Sequence, residues 1–202
     1  MTPEIQRMLD VCRMLHDTGK VSGSGGNVSI RCEDGILITP TGVSLGDVTE
    51  DNLVRVRWDG SFDGVIRPSK EWRMHLICYE KRPDVTALVH VHSLYAVALS
   101  CLLRPGDKIP AYFPGYVMRV NDLPMIPYLK PGCPELAESV GEIIAQRNSV
   151  LLCNHGVVTV GKDMSQALNI MEEIEENAQL YFILNGRGHA LSEEAIRELT
   201  NG

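Results

Sequence analysis

The chain has 202 residues, of which 44% are hydrophobic and 22% charged, which is enough to bury a core as one globular domain spanning 1–202. Its net charge of −7, with no Lys/Arg run, argues against holding nucleic acid or an anionic membrane through bulk charge. The longest apolar stretch, 87–103, is broken by His90, His92 and Ser93, too short and polar for a membrane span. The N-terminus reads as a helical start and not a signal peptide, and six cysteines without a CxxC pair read as reduced thiols of a cytoplasmic protein.

Thr2-Pro3 suits a helix start, and Ile5, Met8, Leu9, Cys12 and Leu15 then recur at helical spacing up to Gly19. A glycine-rich turn at 22–27 is followed by strand-like runs at 28–31, 35–39 and 53–57. Ser69 can cap a helix running to Lys81, stopped by Arg82-Pro83. The spacing predicts a strand at 85–92, a helix at 93–103, and strands at 112–120 and 125–127. A helix at 134–146, strands at 149–154 and 157–160, and a long helix from 163 to 184 complete the reading. Helices interleave with strands that often follow one another directly, which predicts an α/β fold with a mixed or largely antiparallel sheet covered by helices.

Val89-His90-Val91-His92 is the most informative local motif. On a strand, residues two apart share a face, so His90 and His92 project together while the valines pack behind them. His155 follows a third apolar run and precedes Gly156, at a strand end suited to presenting a side chain to a cleft. Three neutral imidazoles with one open position form a catalytic zinc set; manganese or cobalt also accept imidazole. Glu71, read as one turn into the helix begun by Ser69, is the candidate fourth group, as a ligand or as a base. His75, four residues on, reads as a packing or orienting group.

Three polar turns suit an anion. Gly23-Ser24-Gly25-Gly26-Asn27 precedes a strand, so it is no dinucleotide fingerprint, and it lacks the GK[ST] of a P-loop. Its backbone N–H groups and the side chains of Ser24 and Asn27 can still face an anion. Thr39-Pro40-Thr41-Gly42 and Pro68-Ser69-Lys70-Glu71 are the other two, the last with a cationic Lys70. Together with a metal set they point to a small phosphorylated substrate.

The strings Gly25-Gly26-Asn27-Val28-Ser29, Ile38-Thr39-Pro40-Thr41-Gly42, Pro68-Ser69-Lys70-Glu71-Trp72, Val89-His90-Val91-His92-Ser93 and Asn154-His155-Gly156-Val157 resemble the class II aldolases of the fuculose-phosphate aldolase/adducin-head superfamily, across residues 5–184. The resemblance implies a three-layer α/β/α fold around a mainly antiparallel sheet, assembled as a C4 homotetramer. It assigns zinc to His90, His92 and His155, the acid/base role to Glu71, and phosphate contacts to Ser24, Asn27, Thr41, Gly42 and Ser69. It implies cleavage of a ketose 1-phosphate, of the L-fuculose 1-phosphate kind, to dihydroxyacetone phosphate and an aldehyde through an enediolate. Lys70 replaces the serine of fuculose-phosphate aldolases, and the tyrosine those enzymes use after Ile109-Pro110-Ala111 is matched only loosely, by Tyr112 or Tyr116; Tyr116 is the catalytic candidate. Pro68-Ser69-Lys70, 116–120, 126–128 and 130–132 look more like the branch that decarboxylates 3-oxo-tetronate 4-phosphates. Glu71 favours the aldolase over that branch, and over the ribulose-phosphate 4-epimerases, which place an aspartate there. A non-catalytic adducin-like module should have lost the metal residues, which this chain keeps.

Overall fold

The computed structural model describes residues 2–201. It contains α1 (Pro3–Asp17), β1 (Asn27–Cys32), β2 (Gly35–Ile38), β3 (Val54–Arg57), α2 (Trp72–Lys81), β4 (Ala87–Val91), α3 (Leu94–Leu102), α4 (Pro114–Arg119), β5 (Met125–Ile126), α5 (Pro134–Ile144), β6 (Ser149–Leu152), β7 (Gly156–Gly161), α6 (Met164–Leu184) and α7 (Glu193–Thr200). The strands form one sheet in the order β3-β2-β1-β4-β7-β6-β5. Every pairing is antiparallel except β5 with β6.

Both faces of the sheet are covered, because the strands are apolar on both faces rather than alternating with polar residues. Val28, Ile30, Val89, Val91 and Val157 join Met8, Leu15, Leu99, Ile170 and Met171 in one core, beneath α1, α3 and α6. Ile36, Ile38, Leu88, Val158 and Val160 join Met74, Leu136, Val140 and Ile144 in the other, beneath α2 and α5. The result is the expected three-layer α/β/α arrangement. Each fully buried large apolar side chain contributes about 1.5–3 kcal/mol. No helix among the described residues is long and apolar enough to cross a membrane.

The structure differs from the sequence reading in three places that bear on the site. The run 112–120 is not a strand: Phe113 is extended, Pro114 opens α4 at its first turn, and Tyr116 and Val117 are buried on the helix. The proline ring presets the helical φ and lacks the N–H that a strand ladder would need. The helix after Ser69 starts at Trp72, so Glu71 stands at its N-cap position and not inside its first turn. Ser69 instead accepts from the Glu71 amide through Oγ at 3.3 Å, capping the turn that precedes the helix. Finally, α7 lies beyond the last element read from the sequence, with its apolar Ile196 and Leu199 packed against the first core.

Candidate active site

Register in the sheet centre places the site. In the β1–β4 ladder Asn27 stands directly opposite His90, and in the β4–β7 ladder His90 stands opposite Val158. His90 therefore faces the α2 layer, and the N-terminal end of α2 brings Glu71 over it. His92 follows one residue after β4 ends, on the same side. His155 comes from the turn joining β6 to β7, where Asn154 takes a left-handed φ of 53° and the His155 amide donates to Leu152 O at 3.1 Å. Asparagine is among the few side chains that adopt this region readily, so the turn can be tight. Gly26, at φ 76°, approaches so closely that a Cβ there would lie 2.9 Å from His90 O.

The four groups converge. One ligand atom from each of Glu71, His90, His92 and His155 lies within 4.8 Å of all the others, and the imidazole centroids are 4.9–5.0 Å apart. His90 Nδ1–H donates to Val157 O at 2.9 Å, which leaves Nε2 bare in the neutral ring. That Nε2 lies 3.1 Å from His92 Nε2 and 3.1 Å from Glu71 Oε2, while His155 Nε2 lies 3.3 Å from Glu71 Oε1. Acceptors thus face acceptors, and the buried Glu71 Oε1 has no hydrogen-bond donor. A cation shared among them resolves the conflict. Tetrahedral ligation with metal–nitrogen bonds of about 2.0–2.1 Å puts ligand nitrogens about 3.3–3.4 Å apart, near the observed His90–His92 spacing. Three imidazoles and a carboxylate therefore fit a divalent metal ion.

Electrostatics prepare the same set. Burial lowers the His92 imidazole to about 3 and the His155 imidazole to about 4, each reinforced by the His90 charge, so both are neutral near pH 7. Burial opposes both charges, but with no metal bound a proton on His90, which the Glu71 contact favours, supplies a charge and a hydrogen bond that with Asn27 and His155 hold the Glu71 carboxylate far below its usual range.

Asn27 lines the cleft above this cluster as well, and its side chain is engaged there. Its Nδ2 donates to Glu71 Oε2 at 2.9 Å, and Oδ1 meets His75 Nε2. His75 is fully buried, and burial lowers it to about 3, aided by the His90 charge. An unfolded histidine titrates near 6.5, so between these values the unfolded chain binds one more proton than the folded one. This stability is complete above pH 6.5 and is lost as pH falls toward 3, at about 1.4 kcal/mol per pH unit for one proton. Urea unfolding of the metal-free protein between pH 4 and 6.5 is expected to show a shallower slope, by about one proton, in His75→Gln; an unchanged slope would contradict a buried neutral His75.

The cleft above this cluster has a volume of about 300 Å³ and is lined by Ser24, Thr41, Gly42, Ser69, Lys70, Glu71, His92 and His155 among others. Its two rim turns are joined directly: Thr41 N donates to Arg67 O and Ser69 N to Thr39 O, both at 3.0 Å. Ser24, Thr41, Gly42 and Lys70 are exposed at the rim, where a soluble anion can reach them. Lys70→Ala is expected to raise the KM for a phosphorylated substrate about tenfold with kcat unchanged, as loss of one exposed charged contact does; steady-state kinetics decide, and an effect on kcat alone would count against an anion role.

Tyr116 does not join this cluster. The helical turn of α4 directs it into the first core, where it is 1% exposed and burial raises its phenol well above the usual range. Tyr112 lies elsewhere too, beside Tyr181 and Phe182 at another pocket. Two supporting features escaped the sequence reading. Buried Glu175 accepts from Ser93 Oγ at 2.7 Å and Ala96 N at 2.9 Å, fixing the chain just after His92. The other is Tyr79, which extends the Glu71–His75 pair already read from the sequence by another four residues, a spacing that was its only signal.

Residues 6–182 match the family described as Class II Aldolase and Adducin N-terminal domain. The chain belongs to this class II aldolase family. Among its members, the 3-oxo-tetronate 4-phosphate decarboxylase of Haemophilus influenzae is 40% identical over 198 residues, covering 96% of this chain and 94% of that protein. The L-fuculose phosphate aldolase of Methanococcus maripaludis is 40% identical over 184 residues, covering 90% and 98%. Among solved structures, YgbL from Escherichia coli superposes with a TM-score of 0.91 at 36% identity, covering 96% of each chain. This class II aldolase chain thus resembles relatives named for two different carbon–carbon cleavages.

Proposed function

We propose that this class II aldolase homologue is a metal-dependent lyase that decarboxylates 3-oxo-tetronate 4-phosphate. The observation that carries the reading is the inventory of the cleft: a metal-type cluster at the floor, polar turns at the rim, and Lys70 where the fuculose-phosphate aldolases carry a serine. The decarboxylase of Haemophilus influenzae, matched over nearly the whole chain, supports it. A divalent ion held by His90, His92 and His155, with zinc the best fit to this donor set, supplies Lewis-acid stabilisation of charge on the ketone oxygen. The turns at Ser24, Thr41, Gly42 and Ser69, with Lys70, hold the phosphate and fix the register of the carbon chain over the cluster. In a 3-oxo acid the bond between C1 and C2 breaks, CO₂ leaves, and its bonding electrons pass toward the ketone. Glu71 then delivers a solvent proton to C2, giving dihydroxyacetone phosphate.

The second reading is cleavage of L-fuculose 1-phosphate, and Glu71 favours it, since bond-making to an aldehyde begins with proton removal from dihydroxyacetone phosphate. Carboxyl-labelled 3-oxo-tetronate 4-phosphate given to the zinc-loaded protein is expected to release one CO₂ per dihydroxyacetone phosphate formed. Formation of dihydroxyacetone phosphate from L-fuculose 1-phosphate, with none from the acid, would reverse the order of the two readings. Exposed Leu94 and Leu102 on α3, together with the family resemblance, support a C4 homotetramer, testable by light scattering. Six free thiols support a cytoplasmic location.

A further inference from the structure

Beneath Glu71 runs a buried line of polar groups that neither ligates a metal nor reaches the cleft as a whole. Ser29, His75 and Tyr79 are fully buried and Asn27 is 4% exposed. The direction of every hydrogen bond along it is forced by the one before. An ionised Glu71 carboxylate only accepts, so the Asn27 amide must turn its Nδ2–H toward Oε2, at 2.9 Å. Asn27 Oδ1 then faces His75 Nε2 and only accepts, so His75 Nε2 carries the ring proton. The other nitrogen, Nδ1, is left to accept from Ser29 Oγ–H at 2.7 Å. With the serine proton spent, the Tyr79 hydroxyl must donate, to Ser29 Oγ or Ser29 O, each at 2.9 Å.

An amide cannot pass a proton along this line, but it can pass orientation. The two ends of the Asn27 amide are nearly the same shape; reversed, Oδ1 would face the Glu71 carboxylate acceptor to acceptor. Glu71 stands at the N-cap of α2, where its carbonyl accepts from Met74 N and His75 N but its carboxylate makes no capping hydrogen bond to the helix, so Asn27 supplies the tether. Held by Asn27 on Oε2, its other oxygen is turned to His155.

We propose that His75 is a positioning residue for Glu71: its Nε2–H fixes the Asn27 amide, and the amide fixes the carboxylate over the histidine cluster. The kinetic part of the test rests on the lyase reading above; the tautomer measurement does not. Nitrogen-resolved imidazole NMR of the metal-free wild-type protein at pH 7, with the His75 signals identified by their loss in His75→Gln, is expected to show the Nε2–H tautomer. The Nδ1–H tautomer would overturn the proposal. In zinc-loaded protein, His75→Phe keeps the ring volume but loses the donor, whereas His75→Gln supplies an N–H at the same end. The Phe variant is expected to slow solvent exchange of dihydroxyacetone phosphate about 10- to 100-fold in kcat with KM unchanged, and the Gln variant to recover to within about threefold of wild type. Equal losses in both variants, or none in either, would overturn the proposal as well. If wild type exchanges nothing, the lyase reading falls, and the tautomer alone decides the inference: Nε2–H sustains it and Nδ1–H overturns it. A Phe variant that fails to fold leaves the tautomer as the deciding measurement.

Discussion

Glu71→Gln is expected to keep the bound metal and to slow solvent exchange at the hydroxymethyl carbon of dihydroxyacetone phosphate by about 10²–10⁴-fold, the usual worth of a positioned general base. The three imidazoles that dominate the cluster remain, and glutamine keeps an oxygen that can accept from Asn27 Nδ2, 2.9 Å away in the native site. What it cannot do is exchange a proton with carbon, because its amide has no basic oxygen at neutral pH. The native carboxylate is ionised over the whole working range, held there by His90, Asn27 and His155 against its own burial. Release of CO₂ from a 3-oxo acid should fall less than exchange does, since bond-breaking there needs no base. Exchange followed by NMR in D₂O, with metal content measured on the same sample, checks both halves. Unchanged exchange would remove Glu71 from the proton step, and loss of metal would make it chiefly a ligand.

His92→Ala is expected to weaken metal binding by more than the roughly 100-fold that loss of an outer-shell partner costs. His92 is the suitable probe because it is only partly buried at the cleft wall, whereas His90 is fully buried in the sheet and its removal would leave a cavity. Removing it also relieves the approach of its Nε2 to His90 Nε2 at 3.1 Å, so the metal-free variant should be no less stable than metal-free wild type. The increase in Tm on adding zinc should shrink with the affinity, since a ligand bound only by the native state stabilises in proportion to the logarithm of its occupancy ratio. Calorimetric titration and paired melts with and without zinc measure this. Full occupancy at wild-type affinity would refute the ligand assignment.

Much of the architecture is written in local periods. The alternation Val89-His90-Val91-His92 decides that two imidazoles share one face and that the valines enter the opposite core, whatever the rest of the chain does. The spacing of Met8, Leu9, Cys12 and Leu15 likewise decides which face of α1 is buried. Where local signals competed, as at 112–120, apolar residues and prolines were compatible with strand or helix, and packing of Tyr116 and Val117 into the first core settled it as α4.

By itself, then, the sequence determined the paired histidines, the polar turns and the apolar faces, because each depends only on the repeat of the backbone over a few residues. The tertiary structure alone decided that His155 and Glu71 meet that pair, because their approach depends on the order β1-β4-β7 and on where α2 begins. It also decided that Tyr116 stays in the core and that the Asn27 side chain meets Glu71, since a side chain's partner is set by the register opposite it and not by its neighbours in the chain.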